Sequence, residues 1–149
     1  EALIDPDGVE SAAGMGNAPG LGLLPLVTLF EAQKTLRRTC ARFGDLSGPW
    51  SHLSGVEACG YEIHLGQTAQ HPAMAAKGDV AREVIPGLAW QNPGGNVLGC
   101  YLHGLFEDAG VLQALFGAGA PTLDDVFDGL AHTLADACAP GVLQGLIGR

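Results

Sequence analysis

Val97-Leu98-Gly99-Cys100-Tyr101-Leu102-His103-Gly104-Leu105-Phe106-Glu107 opens as a nearly unbroken apolar run that leads into a histidine. Val97 to Leu102 has the composition of a strand buried in the middle of a sheet. His103 then falls at the carboxyl end of that strand, where open α/β sheets place their ligands. Upstream, Trp90-Gln91-Asn92-Pro93-Gly94-Gly95-Asn96 is dense in turn formers and predicts a hairpin leading into the run. Downstream, Asp108 can cap a short helix with Leu112, Leu115 and Phe116 on one side and a stop at Gly117. A second helix follows, capped by Thr122 with Asp125 in its first turn. Its apolar stripe is Leu123, Val126, Phe127, Leu130 and Leu134, and Pro140-Gly141 ends it.

Between Gly55 and Leu65 a period of two puts Tyr61, Ile63 and Leu65 on one face, suited to a core, and Glu62 and His64 on the other. Residues two apart on a strand lie about 7 Å from each other, so Glu62 and His64 can line one polar site without touching directly. Leu23 to Phe30 predicts a strand in which Pro25 cannot donate to a ladder, which implies an edge or a bulge. Lys34 to Arg42 predicts another strand and carries Lys34, Arg37, Arg38 and Arg42, four of the seven basic residues. That strand reads either as a docking face for an acidic partner or as an edge kept from aggregating by charge. Asp5-Pro6-Asp7-Gly8 is a turn signal, and Gly14 to Gly22 a glycine-rich loop. The loop lacks the strand before and helix after that a dinucleotide fingerprint needs.

Composition sets the outer bounds. The 149 residues suit one domain, and the net charge of −9 disfavours nucleic acid and anionic membrane as partners. No apolar window approaches the roughly 18 to 20 residues of a membrane span. The beginning, Glu1-Ala2-Leu3-Ile4, lacks the marks of a signal peptide and reads as a cut within a longer protein. The four cysteines, Cys40, Cys59, Cys100 and Cys138, are widely spaced, which suggests reduced thiols and a cytoplasmic location.

Gly60-Tyr61-Glu62-Ile63-His64-Leu65-Gly66-Gln67-Thr68 together with Tyr101-Leu102-His103-Gly104-Leu105-Phe106 resembles the carboxy-terminal glutaminase domain of the cobyric acid synthase family, the glutamine-hydrolysing amidotransferases of cobalamin biosynthesis. Leu21-Gly22-Leu23-Leu24, then Phe30-Glu31 and Lys34-Thr35, follow the same family order. The resemblance implies an α/β fold of the class I amidotransferase type, an open three-layer sheet with helices on both faces. Residues 1–149 would form the carboxy-terminal part of that domain, the nucleophile-bearing segment and a synthase domain lying upstream. It further implies that His103 is the catalytic histidine, with Glu62, His64 and Glu107 as site-shaping residues. Glutamine would be the substrate of this segment. The synthase domain would hold ATP and Mg²⁺ and amidate the corrinoid adenosylcobyrinic acid a,c-diamide.

Such chemistry needs a thiolate, an imidazole that shuttles a proton near neutral pH, and backbone amides for the oxyanion. None of the four cysteines sits in the sharp glycine-flanked turn that exposes a nucleophile, and each reads as a small apolar side chain. Many class I glutaminases orient the histidine with a glutamate two positions on, where this chain has Leu105. Glu62 or Glu107 could take that role, or the histidine could act in a pair with the cysteine alone. Other readings stand beside this one: a related glutaminase serving cobyrinate diamide or cell-wall lipid precursor amidation, a non-catalytic interaction module, or a zinc site. The zinc reading uses Cys59 with His64 and Cys100 with His103, whose spacings fit a zinc pattern poorly.

Overall fold

Leu26 to Arg42 and Glu57 to Gln70, rich in β-branched and alternating residues, form the two longest strands, of 17 and 14 residues. They belong to a computed structural model that describes residues 2–10, 16–139 and 141–147. In chain order the strands are β1 (Ala2–Ile4), β2 (Asn17–Pro19), β3 (Leu26–Arg42), β4 (Glu57–Gln70), β5 (Arg82–Ile85), β6 (Ala89–Gln91), β7 (Leu98–Cys100) and β8 (Leu102–His103). The α-helices are α1 (Pro72–Ala75), α2 (Ala109–Phe116), α3 (Leu123–Ala137) and α4 (Val142–Ile147). Short 3₁₀ helices occupy Gly48–Leu53 and Leu105–Glu107.

One sheet runs β2-β1-β3-β4-β8 and a second runs β5-β6-β7. Only β1 and β3 pair in parallel; every other neighbour among the described strands is antiparallel. The mixed α/β class matches the sequence expectation. Pro25 lies just before β3, so no ladder bond is lost, and Val27 to Leu29 run between β1 and β4 instead of along an edge. The bulge that proline suggested falls further on, between Phe30 and Thr35. Beyond it β3 pairs with β4 alone, and Lys34, Arg37, Arg38 and Arg42 are exposed along that half, as expected of a charged strand. Part of the glycine-rich loop, Asn17–Pro19, is a strand, while Gly14 lies outside the described residues.

The apolar run from Val97 to Leu102 is not one central strand. Its first half, β7, ends the three-stranded sheet, and its second half, β8, ends the five-stranded one. The chain changes sheets at Tyr101, whose N–H donates to the Leu88 carbonyl (2.9 Å). The run is partly buried throughout, and fully at Leu102, because it lies at the junction of the two sheets. Phe43, Leu53, Val84, Ala89, Leu102 and Val111 belong to the larger apolar core, and Leu24, Leu26 and Trp90 to a smaller one. Tyr101 packs against both and meets Trp90 edge-on, with ring centroids 6.0 Å apart.

The expected turns and caps are present. The β6–β7 hairpin closes with Asn92 N–H donating to the Val97 carbonyl (3.1 Å). Asp108 accepts from the amides of Gly110 and Val111, and Thr122 with Asp125 forms a reciprocal capping box. α3 ends at Ala137, before Pro140, which lies outside the described residues. Its stripe of Leu123, Val126, Phe127, Leu130 and Leu134 is about half exposed throughout.

Candidate functional site

His103 is the last residue of β8, and Gly104 turns the chain immediately afterwards with φ +81°, a conformation that costs glycine nothing. The register sets Tyr61 opposite His103 and Glu62 opposite Leu102. At Gly60 a side chain would collide with the His103 carbonyl oxygen and lie 3.0 Å from the Leu102 side chain. Glycine there lets β8 close on β4. Asp108, while capping α2, also accepts from the Cys59 amide (3.0 Å), so helix and strand are joined one residue from that contact. The imidazole is exposed and borders a groove of about 320 Å³ that Arg38, Tyr61, Glu107 and Asp108 help to line. Gly60→Ala should displace β8. We expect a loss of about 1–3 kcal/mol in stability, read by denaturant unfolding, and a shift of the His103 ring resonances.

Among the described residues the ring of His103 makes one hydrogen bond, from Nε2 to the Ile63 carbonyl (3.1 Å). A carbonyl only accepts, so Nε2 carries the hydrogen and the neutral ring keeps its lone pair on Nδ1. Neither carboxylate expected to orient this ring does so. No hydrogen bond joins Glu107 to His103, and Glu62 is engaged elsewhere.

Glu62 and His64 are brought together more closely than the strand spacing suggests: His64 Nε2 lies 3.0 Å from Glu62 Oε1. Both side chains bend over Ile63. Glu62 also accepts from Arg37 (2.6 Å) and Thr39 (3.3 Å) across the ladder, while His64 Nδ1 meets the Gly66 carbonyl (2.7 Å). His64 stacks on Tyr101 at 4.2 Å, and the Tyr101 hydroxyl bonds Thr68. The expected faces of β4 are therefore reversed. Glu62 is 5% exposed and Tyr61 is 53% exposed. The inward positions of β4 include Ala58, Gly60 and Gly66, whose small size admits β8 and Thr28; a bulky residue would not fit. The contacts of Arg37, Thr39 and Tyr101 were not legible in the sequence, although Arg37 and Tyr101 stand in stretches singled out there, because they depend on strand register.

The hydrogen bond from Arg37 holds the Glu62 carboxyl below the usual carboxylate range, opposed by burial and assisted by His64 and Thr39. A depressed folded-state pKa stabilises fully above the unfolded value, about 4.3, and that stabilisation disappears as pH falls through the folded value. Glu62→Gln should thus cost more stability at neutral pH than near pH 3. Thermal unfolding across that range checks the narrowing gap.

The expectation of four free thiols is corrected by the register of β3 and β4. Cys40 and Cys59 are directly paired, with Cα atoms 4.1 Å apart, and form a disulfide across 19 residues of chain. Cys59 therefore offers no thiolate to a metal while the bond is intact. Among the described residues no group of three or more His, Cys, Asp or Glu side chains is gathered as a metal site requires. Cys100 is free, but burial pushes its thiol up, which is unfavourable for a nucleophile. Cys138, also free, caps the end of α3. Closing a loop of that length contributes about 3 kcal/mol in the chain-entropy model. Cys40→Ser should lose about that much stability in urea titrations without reductant, and no further stability when dithiothreitol is present.

No helix among the described residues is long and apolar enough to cross a membrane. Residues 1–111 match the CobB/CobQ-like glutamine amidotransferase domain. The cobyric acid synthase of Acidovorax ebreus is 70% identical over 146 residues, covering 98% of this chain and 28% of that protein. Those of a Polaromonas species and Leptothrix cholodnii are 65% and 55% identical, each over 99% of this chain and 28% and 29% of their own length. The chain thus spans under a third of the relatives it matches. No solved structure matches it. With the two motif strands β4 and β8 lying side by side inside the matched span, the chain belongs to the CobB/CobQ-like glutamine amidotransferase domain family.

Proposed function

We propose that this chain supplies the histidine-bearing part of a glutaminase site, and that His103 is its catalytic base. The observation that carries the reading is the His103 ring: it is exposed beside a groove at the end of β8, with Nε2 committed to a carbonyl and Nδ1 left to accept a proton. In the proposed cycle a cysteine upstream of residue 1 attacks the glutamine amide carbon after giving its proton to the imidazole. The imidazolium then protonates the leaving nitrogen, ammonia departs, and water, deprotonated by the same ring, hydrolyses the thioester. Upstream strands would complete the open three-layer sheet with helices on both faces.

The family and the relatives' names support placing this glutaminase in a cobyric acid synthase. Ammonia would pass to a synthase domain of the same polypeptide, which binds ATP and Mg²⁺ and amidates adenosylcobyrinic acid a,c-diamide. The test is isotope transfer: the full-length protein given amide-¹⁵N glutamine, ATP, Mg²⁺ and the a,c-diamide should place ¹⁵N in the corrinoid product. Glutamine hydrolysis with transfer only to another carboxylate acceptor would reassign the synthase. A full-length protein that hydrolyses no glutamine would make this chain a non-catalytic module.

A further inference from the structure

We infer that the backbone carbonyl of Ile63 takes the place of the carboxylate in a three-membered catalytic triad, and that the Glu62–His64 pair is the positioning device that aims it at His103. The inference rests on the proposed catalytic role of His103 and deepens it.

The position two residues after His103 is Leu105, which is apolar and buried in the core. Glu62 makes its contacts to Arg37, Thr39 and His64, and Glu107 makes none to His103. Among the described residues the only acceptor bonded to the ring is the Ile63 oxygen. Its availability follows from the sheet switch. The β4–β8 ladder pairs Tyr61 with His103 and Glu62 with Leu102, so the next rung would pair Ile63 with Tyr101. Tyr101 has by then turned its amide to Leu88 in the other sheet. The ladder stops one residue short, and the imidazole takes the Ile63 carbonyl.

Both neighbours of Ile63 are fixed. Glu62 is tied to β3 through Arg37 and Thr39, and His64 is tied to the Gly66 carbonyl and stacked on Tyr101. Their side chains also bond each other, bridging the Ile63 residue between them. A carbonyl fixes the tautomer of the ring as a carboxylate does, but presents a dipole in place of a full charge to the imidazolium formed on proton transfer. Its aim therefore matters more, because there is no charge to act over a longer distance.

The experiment uses the full-length protein with ¹⁵N-labelled histidine, His103 being assigned by the resonance missing from His103→Gln. The expected spectrum at neutral pH has hydrogen on Nε2 and an unprotonated Nδ1. Glu62→Ala should mix the tautomers and lower kcat for glutamine hydrolysis by about 10- to 100-fold with little change in KM. Glu62→Gln, which keeps an oxygen acceptor for His64, should recover most of the rate. Hydrogen on Nδ1 in the unaltered protein, or a Glu62→Ala variant with unchanged tautomer and kcat, would overturn the positioning inference alone. Full glutamine hydrolysis by His103→Ala would overturn the catalytic reading, and this inference with it.

Discussion

His103→Ala should reduce glutamine hydrolysis by the full-length protein by about 100- to 10,000-fold, the range that a positioned proton-transfer group contributes. In the proposed cycle the ring carries the transferred proton, so the fall should be in kcat, with KM little changed. Folding should be spared. The His103 side chain is exposed, and its one hydrogen bond reaches a carbonyl that solvent can satisfy in its absence. Far-UV circular dichroism and the denaturation midpoint should match those of the unaltered protein, separating lost chemistry from lost structure. A variant that unfolds would show that the Ile63 contact holds β8 in place. A folded variant with unaltered activity would remove His103 from the reaction.

Gln91→Ala is expected to give the largest loss of stability of any single polar substitution described here. The Gln91 side chain is fully buried, and its amide joins three parts of the chain. Nε2 donates to the carbonyls of Ser47 (2.9 Å) and Gly95 (3.0 Å), while Oε1 accepts from the Ser47 amide (3.0 Å), the Ser47 hydroxyl (3.1 Å) and Arg82. Alanine would leave the buried Gly95 carbonyl without its partner, at about 1–3 kcal/mol, remove the partners of the amide and carbonyl of the exposed Ser47, and open a cavity beneath the hairpin. The total is on the order of 4 kcal/mol, a large share of the 5–15 kcal/mol typical of a domain. Urea unfolding of the variant against the unaltered protein measures it. A loss under 1 kcal/mol would mean that water replaces the amide.

Local signals in the sequence translated directly into structure. Asn92-Pro93-Gly94-Gly95 makes the hairpin, Asp108 and Thr122 cap their helices, and the charged half of β3 is exposed, because each depends on neighbours within a few residues. Features set by distant pairing were not legible. The inward face of β4 is marked by Ala58, Gly60 and Gly66, where small size means that another segment presses close, whereas a reading by bulk turns Tyr61 inward. The Cys40–Cys59 bond depends on the register of two strands, and spacing alone cannot supply it. For the candidate site, the motifs pointed to His103, Glu62 and His64 by residue type. The partners of Arg37, Thr39 and Tyr101 and the use of the Ile63 carbonyl were not legible, since neither cross-strand pairing nor a backbone acceptor leaves a trace in residue identity.

In the proposed site, the nucleophile that His103 serves is none of Cys40, Cys59, Cys100 and Cys138. Labelling the full-length protein with a chloroketone analogue of glutamine, followed by peptide mapping, tests this most directly. One alkylated cysteine outside this span, labelled more slowly in His103→Ala, is the predicted result. Alkylation of Cys100 or Cys138, or equal labelling in the variant, would contradict it.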